Sequence, residues 1–205
     1  MYKLFGKRIC DVLLSCLLFP FFIILCLVIK IAILFDDRGP LFYKANRLGK
    51  NGKTFLMYKF RSMKTDSPDL RNKDGTTFNS KDDPRMTKVG KILRKTSLDE
   101  IPQIVNIIKG EMSFIGPRPD MPDAIKLYSA SDRKKLGVAP GITGYSQAKF
   151  RNSSTLQQRF DGDVFYAENI SFILDVKIFF LTIRNVLVQE NVYRKEGIYD
   201  EDSDR

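Results

Sequence analysis

The sequence predicts a mostly helical α+β protein attached to a membrane by its N-terminal helix. Three observations lead there. Residues 12–29 (VLLSCLLFPFFIILCLVI) carry no charge. Two short segments of alternating polarity flank Asn51-Gly52, which predicts a small β-hairpin. The later chain carries its apolar residues at helical spacing, and 172–188 suits an interfacial or core-packed helix. At 205 residues the chain fits one compact domain plus an attachment.

Composition narrows the chemistry. The net charge of +10 attracts phosphates, whether of nucleotide, lipid or nucleic acid. There is no histidine, which excludes Ser-His-Asp and Cys-His catalysis and every His-based metal site. Cys10, Cys16 and Cys26 all lie in or beside the apolar run without metal-type spacing, so we read them as reduced and buried in lipid or protein. An enzyme built from this chain must work with carboxylates, Lys, Arg, Tyr or Cys, and the apolar setting of the cysteines disfavours a thiolate nucleophile.

The apolar run is at the lower edge of a membrane-spanning length, about 27 Å of helix at about 1.5 Å per residue. Pro20 interrupts it and predicts a kink. Both flanks are basic: Lys3, Lys7 and Arg8 before it, then Lys30, Arg38, Lys44 and Arg47 after it. Basic flanks favour the cytoplasmic side, so the run either enters and returns or is a plain span with a tolerated proline. The residues leave these two readings balanced.

The turn cluster 36–40 ends this helix. Residues 41–47 and 54–63 are the predicted hairpin strands, with Lys59 and Arg61 on one face. That face is either solvated or a basic strip facing phosphate or membrane, and Lys59 is a substrate-binding candidate. Residues 64–85 read as a polar excursion or mobile loop, and 86–95 as a short helix. Ile101, Ile104, Val105 and Ile108 then mark a half-buried helix. Its start is either a capping box from Ser97 to Glu100 or an N-cap at Asp99, which leaves Pro102 in the first turn. We prefer the second. Either start puts Asp99 and Glu100 at the positive end of a helix dipole, with Arg94, Lys95 and Arg118 nearby in sequence. Pro117 and Pro119 stiffen the turn that carries Arg118, which suits a phosphate clamp. Residues 120–137 read as a short helix with its Lys and Arg outside, 140–144 as a turn, and Asp161 and Asp163 as supporting carboxylates or surface residues.

Several long strings then carry a resemblance: KRICD (7–11), YKFRSM (58–63), TSLDEIPQ (96–103), GEMSFIGPRP (110–119) and PGITGYSQ (140–147). In that order they resemble the polyprenyl-phosphate sugar-1-phosphate transferases, the small bacterial phosphoglycosyl transferases. The nearest likeness is to the branch that initiates N-linked protein glycosylation in epsilonproteobacteria. The resemblance implies a monotopic protein with a re-entrant, Pro-broken helix over 1–35, a cytoplasmic catalytic domain over 36–195 and an acidic tail over 196–205. It implies transfer of a sugar-1-phosphate from a UDP-sugar to undecaprenyl phosphate, with release of UMP, at the cytoplasmic face of the bacterial inner membrane. By resemblance Asp99 is the nucleophile that forms a covalent phosphosugar, and Glu100, with Asp99, holds Mg²⁺. Arg94, Arg118 and Arg151 are the implied phosphate-binding arginines. Phe19-Pro20 departs from the Ser-Pro often found at the break in this family. Membrane lipid is an expected partner. Nucleic acid is not, since no nucleic-acid motif or stacked aromatic platform occurs. A membrane-anchored binder without catalysis would explain the charge and the helix but gives Asp99 and Glu100 no task.

Overall fold

The computed structural model describes residues 2–70, 78, 80, 82–150 and 155–188. A π-helical turn over Tyr2–Gly6 leads into α1 (Lys7–Asp36), 30 residues long with Pro20 inside it. Pro20 does not end the helix. The buried residues of α1 are Asp11, Ser15, Phe22, Ile29 and Ile33. They are spaced four or seven residues apart, so they form one stripe along the helix. The other sides stay apolar and exposed, as at Leu13, Leu17, Phe21, Ile24, Leu27 and Phe35. By length and composition α1 could cross a membrane, and an apolar surface this large is of the kind that meets lipid or another protein.

The stripe packs on the rest of the chain. Phe22, Ile29 and Ile33 share a core with Phe60, Leu93 and Ile104. Polar contacts tie down both ends. Near the start, Lys7 Nζ lies 2.7 Å from Asp175 Oδ2, and the Arg8 guanidinium donates to the carbonyls of Ile107 and Ile108. Asp11 accepts hydrogen bonds from Ser113 Oγ at 3.0 Å and Phe114 N at 3.1 Å. At the far end, Asp36 accepts from Val89 N at 2.8 Å, and Asp37 pairs with Arg61.

The hairpin forms as expected. β1 (Phe42–Leu48) and β2 (Thr54–Phe60) pair antiparallel, from Phe42 opposite Phe60 to Leu48 opposite Thr54. Asn51 and Gly52 supply the positive φ of the connection, 58° and 73°. α2 (Lys88–Thr96) follows, then a 3₁₀ segment (Leu98–Gln103) and α3 (Ile104–Lys109).

Neither expected helix start is correct. Ser97, in the left-handed region at φ 59°, ends α2 and makes no side-chain cap. Pro102 cannot donate to an α-helical ladder, and the regular α-helix begins only after it. Nor is 120–137 one helix. It forms two 3₁₀ segments, Pro122–Leu127 and Asp132–Gly137, and Lys135 is buried rather than outside. The supposed turn at 140–144 contains β4 (Gly141–Thr143), which pairs parallel with β3 (Ser113–Ile115).

The 64–85 excursion is anchored where it is described. Arg85 is buried and grips Asp83 through two hydrogen bonds, 2.9 and 2.7 Å, and Pro68 O at 2.9 Å. Residues 71–77, 79 and 81 lie outside the described residues, as does the tail at 196–205.

α4 (Tyr145–Phe150), α5 (Leu156–Glu168) and α6 (Phe172–Val188) complete the fold. α6 turns Asp175 inward, where the hydroxyls of Tyr2 and Tyr166 donate to it at 2.6 and 2.7 Å. Phe172, Ile173, Phe180, Leu187 and Val188 stay exposed. The helix expected over 172–188 forms.

Candidate active site

The site is assembled from three pieces of chain. The first is β2 and its exit. Asn106, fully buried on α3, donates to Leu56 O at 2.8 Å and accepts from Tyr58 N at 3.1 Å. This fixes the strand next to Lys59. The second piece is α2 and the 3₁₀ segment. Thr87 Oγ1 caps α2 by accepting from Gly90 N at 2.9 Å. A Cβ on Gly90 would stand 1.9 Å from Ser62 O, so only glycine lets the helix start sit on the exit of β2. That contact brings Arg94 Nε to 3.0 Å from Ser62 Oγ. The left-handed Ser97 then reverses the chain and presents Asp99 and Glu100.

The third piece is the Gly116-Pro-Arg-Pro turn. Gly116 N donates to Thr143 O at 2.8 Å and Gly141 N to Pro117 O at 2.9 Å. A Cβ on Gly141 would lie 2.1 Å from Gly116 N. The two glycine-bearing strings are therefore one backbone-to-backbone contact, and it holds Arg118 over the acidic pair.

Lys59, Glu100 and Arg118 meet directly. Lys59 Nζ is 2.7 Å from Glu100 Oε1, and Arg118 Nη1 is 3.9 Å from the same oxygen. Arg118 is 41% exposed, which leaves most of its donors to a ligand. Asp99 accepts no hydrogen bond among the described residues. It interacts with Lys59, Arg94 and Arg118 only through charge. The two carboxylates thus differ in kind, one bound and one free.

Their ionisation differs too. Burial pushes the Asp99 carboxyl above its ordinary value, and the neighbouring Glu100 charge adds to this, against the pull of Lys59, Arg94 and Arg118. Burial also opposes ionisation of Glu100, but Lys59 and Arg118 outweigh it and hold that carboxyl low. Desolvation of Asp99 thus opposes the three cations around it, whose charge favours the ionised form.

The structure brings together Lys59, Arg94, Asp99, Glu100 and Arg118. Arg151 lies outside the described residues. Arg61, the strand neighbour of Lys59, serves the fold: it binds Asp37, Pro40 O at 2.8 Å and Met63 O at 2.8 Å. Asp163 is buried against Lys135, not on the surface. Sequence reasoning missed Ser62 and Asn106. Ser62 stands in the YKFRSM string, and Asn106 is a lone amide on the apolar helix, which was the available signal.

Asp99 and Glu100 are the available metal ligands. Among the described residues no cluster of three or more acidic, cysteine or histidine side chains occurs. Two carboxylates do not make a full protein cage. They do fit Mg²⁺, which prefers one or two carboxylates completed by substrate phosphates and water.

A sequence profile described as bacterial sugar transferase matches residues 2–189. The chain belongs to the bacterial sugar transferase family. It is a sugar-phosphate transferase by that membership. It is similar to EpsL, an uncharacterized sugar transferase of Bacillus subtilis (strain 168), at 41% identity over 78% of this chain and 76% of that one. The exopolysaccharide production protein ExoY of Sinorhizobium fredii shares 39% identity over 92% of this chain and 88% of its own. The UDP-N-acetylgalactosamine-undecaprenyl-phosphate N-acetylgalactosaminephosphotransferase of Aeromonas hydrophila shares 36% over 89% of this chain. This transferase spans only 44% of that larger relative.

Proposed function

We propose that this transferase moves a sugar-1-phosphate from a UDP-sugar to undecaprenyl phosphate and releases UMP. The carrying observation is the division between Asp99, free of hydrogen bonds, and Glu100, held by Lys59 and Arg118. A desolvated, unpaired carboxylate is a better nucleophile than a hydrogen-bonded one. In the first step an Asp99 oxygen attacks the β-phosphorus, the bond to the bridging oxygen breaks, and UMP leaves with that electron pair. In the second, an oxygen of undecaprenyl phosphate attacks the same phosphorus and restores the Asp99 carboxylate. Arg94, Arg118 and Lys59 bind the phosphoryl oxygens and stabilise their charge in both transition states. Arg151 is assigned the same task. Mg²⁺, held by Glu100 and Asp99, would neutralise the diphosphate and improve UMP as a leaving group.

The test is intact mass after incubation with UDP-sugar. A sugar-phosphate adduct should form on the unmodified protein and not on Asp99→Asn. An adduct that persists in the variant removes Asp99 as nucleophile.

The membrane mode belongs to this proposal. Thirty helical residues would reach about 45 Å if straight, more than the roughly 30 Å hydrocarbon core. Yet the stripe from Asp11 to Ile33 and the ties at both ends engage one body. This supports a helix that enters and leaves on the cytoplasmic side, with the site at the inner-membrane surface. Cysteines introduced at Phe5 and Lys53 should both resist labelling from the periplasm, and labelling of either one would establish a full span. The pathway is a first membrane step of glycoconjugate assembly. A UDP-sugar screen for UMP release identifies the sugar accepted.

A further inference from the structure

Behind the Arg118 turn lies a buried charge cluster with no part in the chemistry above. Lys135 has a side chain only 2% exposed, and its Nζ lies 2.8 Å from Asp120 Oδ2 and 2.6 Å from Asp163 Oδ2. Its ammonium also sits 5.1 Å from the centre of the Phe160 ring. Tyr128 donates to Asp120 at 2.7 Å, and Arg159 approaches the other Asp120 oxygen at 3.7 Å. Ser146 donates to the second oxygen of Asp163. Two cations, Lys135 and Arg159, thus face two carboxylates, Asp120 and Asp163. A buried ionic cluster of this kind stabilises less than an apolar core would, and fixing one geometry is its best-attested use.

The geometry to be fixed is visible. Asp120 is two residues beyond Arg118, across Pro119, and its backbone carbonyl also accepts Leu48 N at 2.9 Å. The near side of the turn is pinned by Gly141 N to Pro117 O. Asp120 pins the far side. The arginine between them has nothing but its own side-chain torsions left to set.

We infer that Lys135 and Asp120 are positioning residues that fix the Arg118 guanidinium for phosphate binding. The inference rests on the reading of Arg118 as a phosphate ligand. Both act on Arg118 through the backbone of the turn.

The experiment is equilibrium binding of UDP to the full chain in detergent, which needs no turnover. Asp120→Asn keeps the shape of the side chain and removes its charge. Arg118→Ala removes the ligand-binding group. Each single variant should weaken UDP binding by about tenfold, and the double variant should bind no worse than Arg118→Ala alone. Tyr128→Phe, a milder loosening of Asp120, should weaken binding in the same Arg118-dependent way, and it stands in if Asp120→Asn does not fold. Losses that multiply in the double variant would overturn positioning and leave a purely structural cluster, as would full affinity in Asp120→Asn. No effect of Arg118→Ala would instead overturn the phosphate reading itself.

Discussion

Gly141→Ala tests the contact that holds Arg118. The new Cβ would stand 2.1 Å from Gly116 N, 2.4 Å from Thr143 O and 2.7 Å from Gly116 Cα. Ordinary contact needs roughly 3.5 Å, so the two backbones must part by about 1 Å. That strains the bonds from Gly116 N to Thr143 O and from Gly141 N to Pro117 O, 2.8 and 2.9 Å. At about 0.5–1.5 kcal/mol each, their loss costs about 1–3 kcal/mol. For a chain of this size that lowers Tm by roughly 3–10 °C. A displacement of about 1 Å at the Arg118 turn should cost on the order of a hundredfold in turnover. Gly137→Ala is the control, because a Cβ there meets nothing within 4 Å. Thermal melts and initial rates of UMP release should separate the two variants. A Gly141→Ala protein that melts and turns over like the control would refute the argument that this close approach sets the site.

Two further outcomes follow from the charges. The Asp99 carboxyl is raised above its ordinary 3.8, so it takes up a proton at higher pH than an exposed aspartate. The rate of adduct formation should therefore begin to fall at a higher pH than an exposed aspartate would set, and a rate that falls only at or below that value would contradict it. Glu100 is held below its ordinary 4.5, so its ion pair stabilises the fold above that pH and is lost as pH falls through the lower folded value. Lys59→Met should flatten that acid-side decline in melting temperature. It should also reduce kcat/KM by about ten- to a hundredfold, the worth of one charge-assisted hydrogen bond. An unchanged pH–melting curve would argue against the pair.

The elements legible in the sequence were those with a local cause. Asn51-Gly52 marked the hairpin because its backbone needs residues tolerant of positive φ. Residues 172–188 marked α6 because one turn-repeating face is apolar. The acidic pair and its cations were legible as types. Their arrangement was not, because it depends on Ser97 adopting a left-handed conformation and on a parallel pair between β3 and β4, 28 residues apart at Ser113 and Gly141. No periodicity announces a three-residue strand. Lys135 was misread for a similar reason. A lysine in a polar run belongs outside unless two carboxylates distant in sequence await it, and Asp163 comes from another helix.

The shared core of α1 has a practical side. Phe22, Ile29 and Ile33 fill the space above Phe60, Leu93 and Ile104. Cutting the helix away at residue 36 would not release a soluble enzyme. It would strip the roof from the hydrophobic interior beneath the acidic pair and leave Asp11 and Lys7 missing from the strand and helix they brace. Anchor and catalyst are in this sense one folding unit. The catalytic domain should therefore be purified with its helix in place.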